Sequence, residues 1–289
     1  MKDDKAIQNL CLHTHTIYCD GKQDMETLII SAINQNVKQI GISSHAPIKI
    51  PNNWSMDIKM MDKYRSEITK LKAIYKNQID IFASLEIDYI PGMSYPFDYF
   101  KKQLKLDYTI GSIHLVKPQK KNQLWFIDGD KQTSIDNMLN LFDGEARQAV
   151  QCFYKQSREM IRSQKPDIIG HLDKVIMNTA HLIDVNDNWY QKEIENTLWE
   201  IKKHNVIVEA NTRGLYKGKW KDTFPSAKIL KLCYEMDIPV LISSDAHHSK
   251  ELLLHYPQTL AKLKQIGFKY IQGRNNSEWV NLPINLSSI

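Results

Sequence analysis

The sequence contains little cysteine. Its 289 residues include four, Cys11, Cys19, Cys152 and Cys233, and these form neither a C-x-x-C pair nor a regular framework. This spacing argues against cysteine-rich zinc sites and against the disulfide scaffolds of small secreted proteins, which a chain of this length does not need. We therefore expect reduced thiols and a cytoplasmic protein.

Two further absences narrow the functional class. No apolar run approaches the ~18 residues of a transmembrane helix, and Met1–Asn9 are charged and polar, without the apolar core of a signal peptide. We expect no membrane association. The formal net charge is +5, and no basic block stands apart from acidic neighbours. We therefore expect no nucleic-acid partner and only a mild preference for anionic ligands.

The residues that are present alternate between short apolar and longer amphipathic segments. The apolar runs predict strands at "IQNLCLH", "VKQIGISS", "IDIFASLEI", "LDYTIGSIH", "PDIIGH", "VIVEANT", "IPVLISSD" and "FKYIQG". The amphipathic segments predict helices at 24–35, 56–75, 147–162, 189–204 and 226–236, with Asp24 and Ser55 as N-caps of the first two. This alternation favours an α/β fold with a parallel sheet, open or closed, and residues 1–289 as a single domain.

Polar residues that can bind metal occur where the predicted strands end. They are His13, His15, Asp20, His45, Glu86, His114, His171, Asp245 and His247. In a closed barrel the carboxyl ends of all strands converge on one face, whereas an open sheet spreads them along a line. The pattern therefore favours a barrel with its active site at the carboxyl ends of the strands.

The residue types indicate the chemistry of this face. Imidazole nitrogen and carboxylate oxygen suit zinc, manganese or iron. A single buried histidine is more often a hydrogen-bonded core residue, but nine candidates at strand ends favour ligation. A catalytic zinc takes about three protein ligands, so this set predicts two or three divalent ions. Such ions lower the pKa of water and clamp the oxygens in a displacement at phosphorus.

Several motifs carry a resemblance to a known family. "HTHTIYCDG", "GISSHAP", "LEIDY", "GSIH", "GHLD" and "SSDAH" resemble, in order, the motifs of the PHP (polymerase and histidinol phosphatase) family, over residues 10–247. The resemblance implies a distorted TIM-like barrel of about seven βα units that binds three ions. The implied ligand sets are His13, His15, Glu86 and Asp245; Glu86, His114 and His171; and Asp20, His45 and His247. In "ISSHAP" the acidic residue that often precedes the histidine is missing.

The segments "VEANTRGLYKGKW" and "FIDGD" are similar to the histidinol-phosphatase branch. This similarity implies that Arg213 clamps the phosphate, since guanidinium matches phosphate bidentately, and that Tyr154 lines the substrate end of the site. It also implies that a hydroxide bridging the metals, held by Glu86 and Asp245, attacks the phosphorus.

The expected function is the hydrolysis of L-histidinol phosphate to L-histidinol and phosphate in histidine biosynthesis. Two alternatives stay open: a phosphoesterase or phosphodiesterase acting on another small phosphorylated substrate, and a polymerase-associated proofreading nuclease module. The sequence leaves the native metals, the general acid and the oligomeric state undetermined.

Overall fold

The computed structural model describes residues 9–119 and 121–284. The strands are β1 Leu10–Cys11, β2 Gln39–Ile42, β3 Asp80–Ala83, β4 Glu86–Asp88, β5 Ile110–Ser112, β6 Leu115–Val116, β7 Trp125–Phe126, β8 Ile168–Ile169, β9 Ile207–Asn211, β10 Val240–Ser243, β11 Tyr270–Asn275 and β12 Glu278–Pro283. The α-helices are α1 Met25–Asn34, α2 Met61–Tyr75, α3 Phe97–Leu104, α4 Lys131–Leu141, α5 Ala146–Gln164, α6 Ile176–Thr179, α7 Asn188–Lys203, α8 Arg213–Tyr216, α9 Ala227–Glu235 and α10 Tyr256–Ile266. Short 3₁₀ helices span Ile58–Met60 and Ser249–Glu251.

Two parallel sheets form the centre of the fold. Their strand orders are β1-β2-β3 and β10-β9-β8-β5-β4, and every pairing within them is parallel. Nearly all of their residues are buried, as expected for parallel strands covered by helices. The predicted α/β class and parallel pairing are confirmed. Two antiparallel hairpins, β6–β7 and β11–β12, form separate two-stranded sheets; of their four strands only β11 was predicted.

The predicted strand "IDIFASLEI" is two strands, β3 and β4, which belong to different sheets. The Ser84 N–H donates to the carbonyl of Ile42 at 2.8 Å, on one side. The neighbouring Leu85 carbonyl accepts from the Ile110 N–H at 3.0 Å, on the other side. The segment therefore passes from the first sheet to the second, and the prediction of one continuous strand is wrong.

Isolated parallel bridges connect the two sheets at two places. One joins His45 to Glu86 and the other joins Thr14 to Ala246. At the second, the His15 N–H donates to the Ala246 carbonyl at 2.8 Å. The carboxyl ends of both sheets therefore surround one region.

The helices follow the predicted pattern with one corrected start. Asp24 caps α1, because its carboxylate accepts a backbone N–H of the first turn at 2.8 Å. The prediction that Ser55 caps the second helix is wrong: its N–H donates to the Asn52 side chain at 2.7 Å within a turn, and Asp57 caps the 3₁₀ helix that leads into α2. Helices α5, α7 and α9 were predicted, whereas α3, α4 and α10 were not. No helix in the described part of the chain has the length and apolar character needed to cross a membrane.

Candidate metal centre

The structure brings the nine predicted ligands together at the carboxyl ends of the parallel strands. Their potential ligand atoms form groups whose members lie within 4.8 Å of one another: His13, His15 and Asp245; Glu86, His114 and His171; and His15, Asp20, His45 and His247. All are buried except Asp20, which is half-buried. Adjacent groups share residues or lie side by side, so the ligands form one continuous cluster.

Glu86 lies between these groups. Its Oε2 atom is 3.2 Å from His13 Nε2 and 3.0 Å from His45 Nδ1. Its Oε1 atom is 2.9 Å from His171 Nε2 and accepts a hydrogen bond from Ser112 Oγ at 2.6 Å. A single carboxylate therefore faces ligands of different groups with its two oxygens, which is the arrangement that a bridging ligand requires.

Several buried polar atoms of the cluster have no hydrogen-bond partner among the described residues. They are His13 Nε2, His15 Nε2, Asp20 Oδ1, His45 Nδ1, Glu86 Oε2 and Asp245 Oδ1. An unsatisfied buried polar atom costs about 1–3 kcal/mol, so such a concentration calls for a compensating partner. Nitrogen and oxygen lone pairs without thiolates are the donors that zinc, manganese and iron accept. The residues therefore fit divalent cations.

Asp88 orients one ligand and was not identified from the sequence. Its carboxylate lies 2.9 Å from His114 Nδ1 and accepts the His114 backbone N–H at 2.7 Å. This contact directs His114 Nε2 toward Glu86, whose Oε1 atom lies 3.8 Å away, and toward His171. The spacing of Asp88 could have revealed it. Asp88 lies two positions after Glu86, and side chains two positions apart on a strand point to the same face.

Glu209, on β9, plays the corresponding part for His13. Its Oε1 atom lies 2.6 Å from His13 Nδ1. Burial lowers the pKa of His13, but the carboxylates of Glu209 and Glu86 outweigh burial and hold this pKa well above its ordinary value. A carboxylate at Nδ1 keeps the proton on that nitrogen and directs Nε2 to the cluster, as carboxylates do beside metal-ligating histidines.

Burial opposes charge throughout the cluster, and neighbouring charges decide each protonation state. Burial raises the pKa of Glu86 and Asp245, yet nearby His13 and other cationic groups hold both pKa values well below the ordinary range. Burial lowers the pKa of His15 and His171. The result is ionised carboxylates at Glu86 and Asp245 and neutral imidazoles at His15 and His171, the states that bind divalent cations. His13, whose pKa is raised, must lose its Nε2 proton before it can bind a cation.

Two of the ligands occupy the left-handed region of backbone conformation. The φ angle is 27° at His171 and 53° at Asp245. Both residues come directly after a buried strand, where this conformation turns the chain sharply. The turn directs their side chains into the cluster instead of along the strand.

A cavity of about 200 Å³ opens onto the cluster. It is lined by Asp20, His45, Asn53, Trp54, His114, Phe126, Asp128, Lys174, Arg213, Asp245 and His247. A larger cavity of about 350 Å³ lies beside α4 and α5, and the residues that line it include none of the nine ligands. The smaller cavity is the candidate substrate site because it combines ligand atoms with fixed positive charge.

Two cationic side chains supply that charge. Arg213, predicted from the sequence, donates from Nη1 to the Asp245 carbonyl at 2.8 Å and remains partly exposed to the cavity. Lys174 was not predicted; its buried Nζ lies 2.7 Å from Asp128 Oδ2 and 3.3 Å from His114 Nε2. Each cation is held in place by a carboxylate or carbonyl oxygen of the protein.

Tyr154, predicted to line the substrate end, lies elsewhere. It is fully buried on α5, and its hydroxyl is 3.1 Å from the hydroxyl of Tyr190 on α7. The described residues that line the cavity do not include it. The amphipathic stripe of α5 directs Tyr154 toward the interface with α7, so its role here is in packing.

Comparisons with known proteins agree with the geometry. The family model described as PHP domain matches residues 12–213. The chain is 23% identical over 280 residues to the "Probable histidinol-phosphatase" of Schizosaccharomyces pombe, with 88% of this chain and 86% of that protein covered. It is 22% identical over 264 residues to the histidinol-phosphatase of Bacillus subtilis, covering 86% of this chain and 97% of that one.

Solved structures share the fold. The structure described as "putative histidinol phosphatase" from Listeria monocytogenes superposes with a TM-score of 0.75 at 23% identity, covering 86% of this chain and 99% of that one. Histidinol phosphate phosphatase of Lactococcus lactis, solved with zinc, L-histidinol and phosphate, has a TM-score of 0.65 at 16% identity and covers 94% and 99% of the two chains. The family model spans well over half of the sequence, and the chain belongs to the PHP domain family.

Proposed function

We propose that this protein is a metal-dependent phosphomonoesterase that hydrolyses L-histidinol phosphate to L-histidinol and phosphate, a step of histidine biosynthesis. The observation that carries the proposal is the set of buried, unpartnered ligand atoms beside a cavity that Arg213 and Lys174 line. The curated relatives, named histidinol-phosphatases, support the substrate. The Lactococcus lactis structure supports it further, since that protein was solved with zinc, L-histidinol and phosphate.

The ligand sets follow the three groups in the structure, and two or three ions of zinc, manganese or iron fit them. We assign His13, His15, Glu86 and Asp245 to one ion, Glu86, His114 and His171 to a second, and Asp20, His45 and His247 to a third. When bound, such ions supply water of lowered pKa and positive charge for phosphate oxygens.

The protein's own residues position the phosphate. Arg213 offers a planar guanidinium to two phosphate oxygens, and Lys174 adds a second fixed charge to the cavity lining. Because Asp128 and Asp245 hold these cations before substrate binds, little reorganisation is needed when negative charge develops. Glu86 and Asp245 stay ionised and hold the neighbouring histidines of the cluster in position.

We also propose that the two parallel sheets form one distorted barrel of seven strand positions, and that residues 1–289 form a single domain. The bridges from His45 to Glu86 and from Thr14 to Ala246 support closure. A single domain should unfold in one transition that circular dichroism and tryptophan fluorescence report at the same denaturant concentration. Two separate transitions would contradict the single-domain proposal.

The function is tested by phosphate release from a panel of substrates. The panel contains L-histidinol phosphate, a nucleoside monophosphate, a sugar phosphate and a single-stranded DNA. Chelator-treated protein supplied with manganese, zinc or iron should hydrolyse L-histidinol phosphate with the highest kcat/KM. Higher kcat/KM on another small ester, or degradation of the DNA, would replace the proposed substrate, and turnover by protein shown to be metal-free would refute the metal dependence.

A further inference from the structure

The segment around β7 presents alternate residues to the cavity. Trp125 and Ile127 are buried in the core, and the Trp125 indole donates to the Ser134 carbonyl at 3.0 Å. Phe126 therefore points the opposite way from Trp125, as alternation along a strand requires. Phe126 and Asp128, which lies in the turn that follows, both line the cavity. Phe126 retains 37% of its exposure although it belongs to a strand.

Trp54 faces Phe126 from a different part of the chain, the segment between β2 and α2. The Asn52 side chain accepts the Trp54 backbone N–H at 3.0 Å and fixes this turn. The Trp54 and Phe126 rings are nearly parallel, at 10°, with centroids 6.2 Å apart. Trp54 also contacts the ligand cluster, because its ring packs edge-on against His45 at 4.9 Å and against His114 at 5.9 Å.

The cavity therefore has two chemically different ends. One end holds the ligand cluster and Arg213, which suit a phosphate. The other end is an aromatic wall, Trp54 and Phe126, next to the Asp128 carboxylate. A substrate whose phosphate lies at the first end directs the remainder of the molecule, its leaving group, along the second.

We propose that Trp54 and Phe126 form a leaving-group subsite that selects a flat, cationic heteroaromatic ring. This inference rests on the proposed function and adds to it the residues that determine specificity. Aromatic faces bind flat rings by offset stacking and bind cations through the ring quadrupole. A protonated imidazole combines both properties.

The test compares ligands with and without the ring. Trp54→Ala and Phe126→Ala should each raise the KM for L-histidinol phosphate and the Kd of L-histidinol about tenfold, a size typical of one aromatic stacking contact. For O-phosphoethanolamine, which keeps the ammonium and the phosphate but lacks the ring, KM should change less than twofold. The Kd of inorganic phosphate should likewise stay constant.

Matched variants separate stacking from structural damage. Phe126→Tyr and Trp54→Phe keep a ring and should restore most of the affinity for L-histidinol. Trp199→Ala, which removes an indole that is 66% exposed on α7, should leave every constant unchanged. Metal content by elemental analysis must equal the wild-type value in each variant compared, because Trp54 touches His45.

The two proposals fail in different ways. Absence of L-histidinol phosphate turnover by the metal-loaded wild type refutes the proposed function, while calorimetric binding of L-histidinol still tests the subsite. Equal losses for ligands with and without the ring, or no loss for either, overturn the subsite. A loss confined to the ring-bearing ligands, relieved by the aromatic replacements, supports it.

Discussion

Replacing Glu209 by glutamine probes the positioning of two ligands with almost no change in shape. Glu209 is fully buried on β9, and all four of its hydrogen-bond partners are donors. Its Oε1 atom accepts from His13 Nδ1 at 2.6 Å and from the Ser243 hydroxyl. Its Oε2 atom accepts from the His171 backbone N–H at 2.9 Å and from Asn211 Nδ2 at 3.0 Å.

Glutamine cannot satisfy this environment in either orientation. In one orientation its side-chain NH₂ group faces the His171 N–H and the Asn211 amide, and in the other it faces the proton on His13 Nδ1. At least one charge-assisted hydrogen bond, worth about 1.5–3 kcal/mol, is therefore lost. The negative charge that helps hold the pKa of His13 above its ordinary value is also removed. Changes to the groups that orient metal ligands lower metal affinity about 10–100-fold, which corresponds to about 1.4–2.7 kcal/mol.

Metal affinity should be measured by competition with a chromophoric chelator, with thermal unfolding recorded with and without metal. In Glu209→Gln the metal-dependent part of the stability should fall by the same 1.4–2.7 kcal/mol or so, because ligand stabilisation follows the logarithm of the dissociation constant. Glu278→Gln, which changes an exposed carboxylate on β12, is the control. Wild-type affinity in a folded Glu209→Gln protein would refute the argument.

The remaining predictions address the cluster and the phosphate site. Glu86→Gln should lose metal as well as activity, because this carboxylate faces ligands of different groups; full metal content by elemental analysis would contradict a bridging role. Arg213→Ala should retain metal while kcat/KM falls about 10²-fold or more; an unchanged kcat/KM would exclude a phosphate clamp. Burial lowers the pKa of His15, His171 and His247 below the ordinary 6.5, so the unfolded chain takes up protons on these residues first as pH falls. Metal retention and kcat/KM should therefore be full near pH 7 and decline in acid, and a profile flat to pH 5 would contradict this. Chelation should abolish activity with little change in circular dichroism, and added metal should restore it without refolding.

The sequence predicts well that the nine proposed ligands lie close together, because each of them is placed by the strand that it follows. Each apolar run ends at a polar residue, and parallel strands with helical crossovers place all such ends on one side. His45, His114 and His171 could therefore be grouped although they are far apart in the chain. Arg213 was proposed differently, through the resemblance of "VEANTRGLYKGKW" to the histidinol-phosphatase branch.

Other features depend on contacts that no local pattern encodes. Glu209 and His13 are 196 positions apart, and nothing in "VEAN" indicates which histidine its carboxylate meets. The crossing between sheets at Ser84 lies inside a continuous apolar run, so only the pairing partners reveal it. Tyr154 shows a different error. The helix that carries it was predicted correctly, but the family resemblance placed its side chain at the substrate end, whereas it packs against Tyr190.

At His171 and Asp245, where the backbone is left-handed, selection for thermostability and selection for function favour different residues. Glycine is the residue that adopts this conformation without a Cβ clash, which costs other residues roughly 1 kcal/mol. A lineage or a design procedure that rewarded melting temperature alone would therefore drift toward glycine at both positions and, in doing so, remove two of the proposed metal ligands. A thermostabilised version of this enzyme should be sought elsewhere, for example at the exposed left-handed Asn276, where the same replacement removes the strain and touches no ligand.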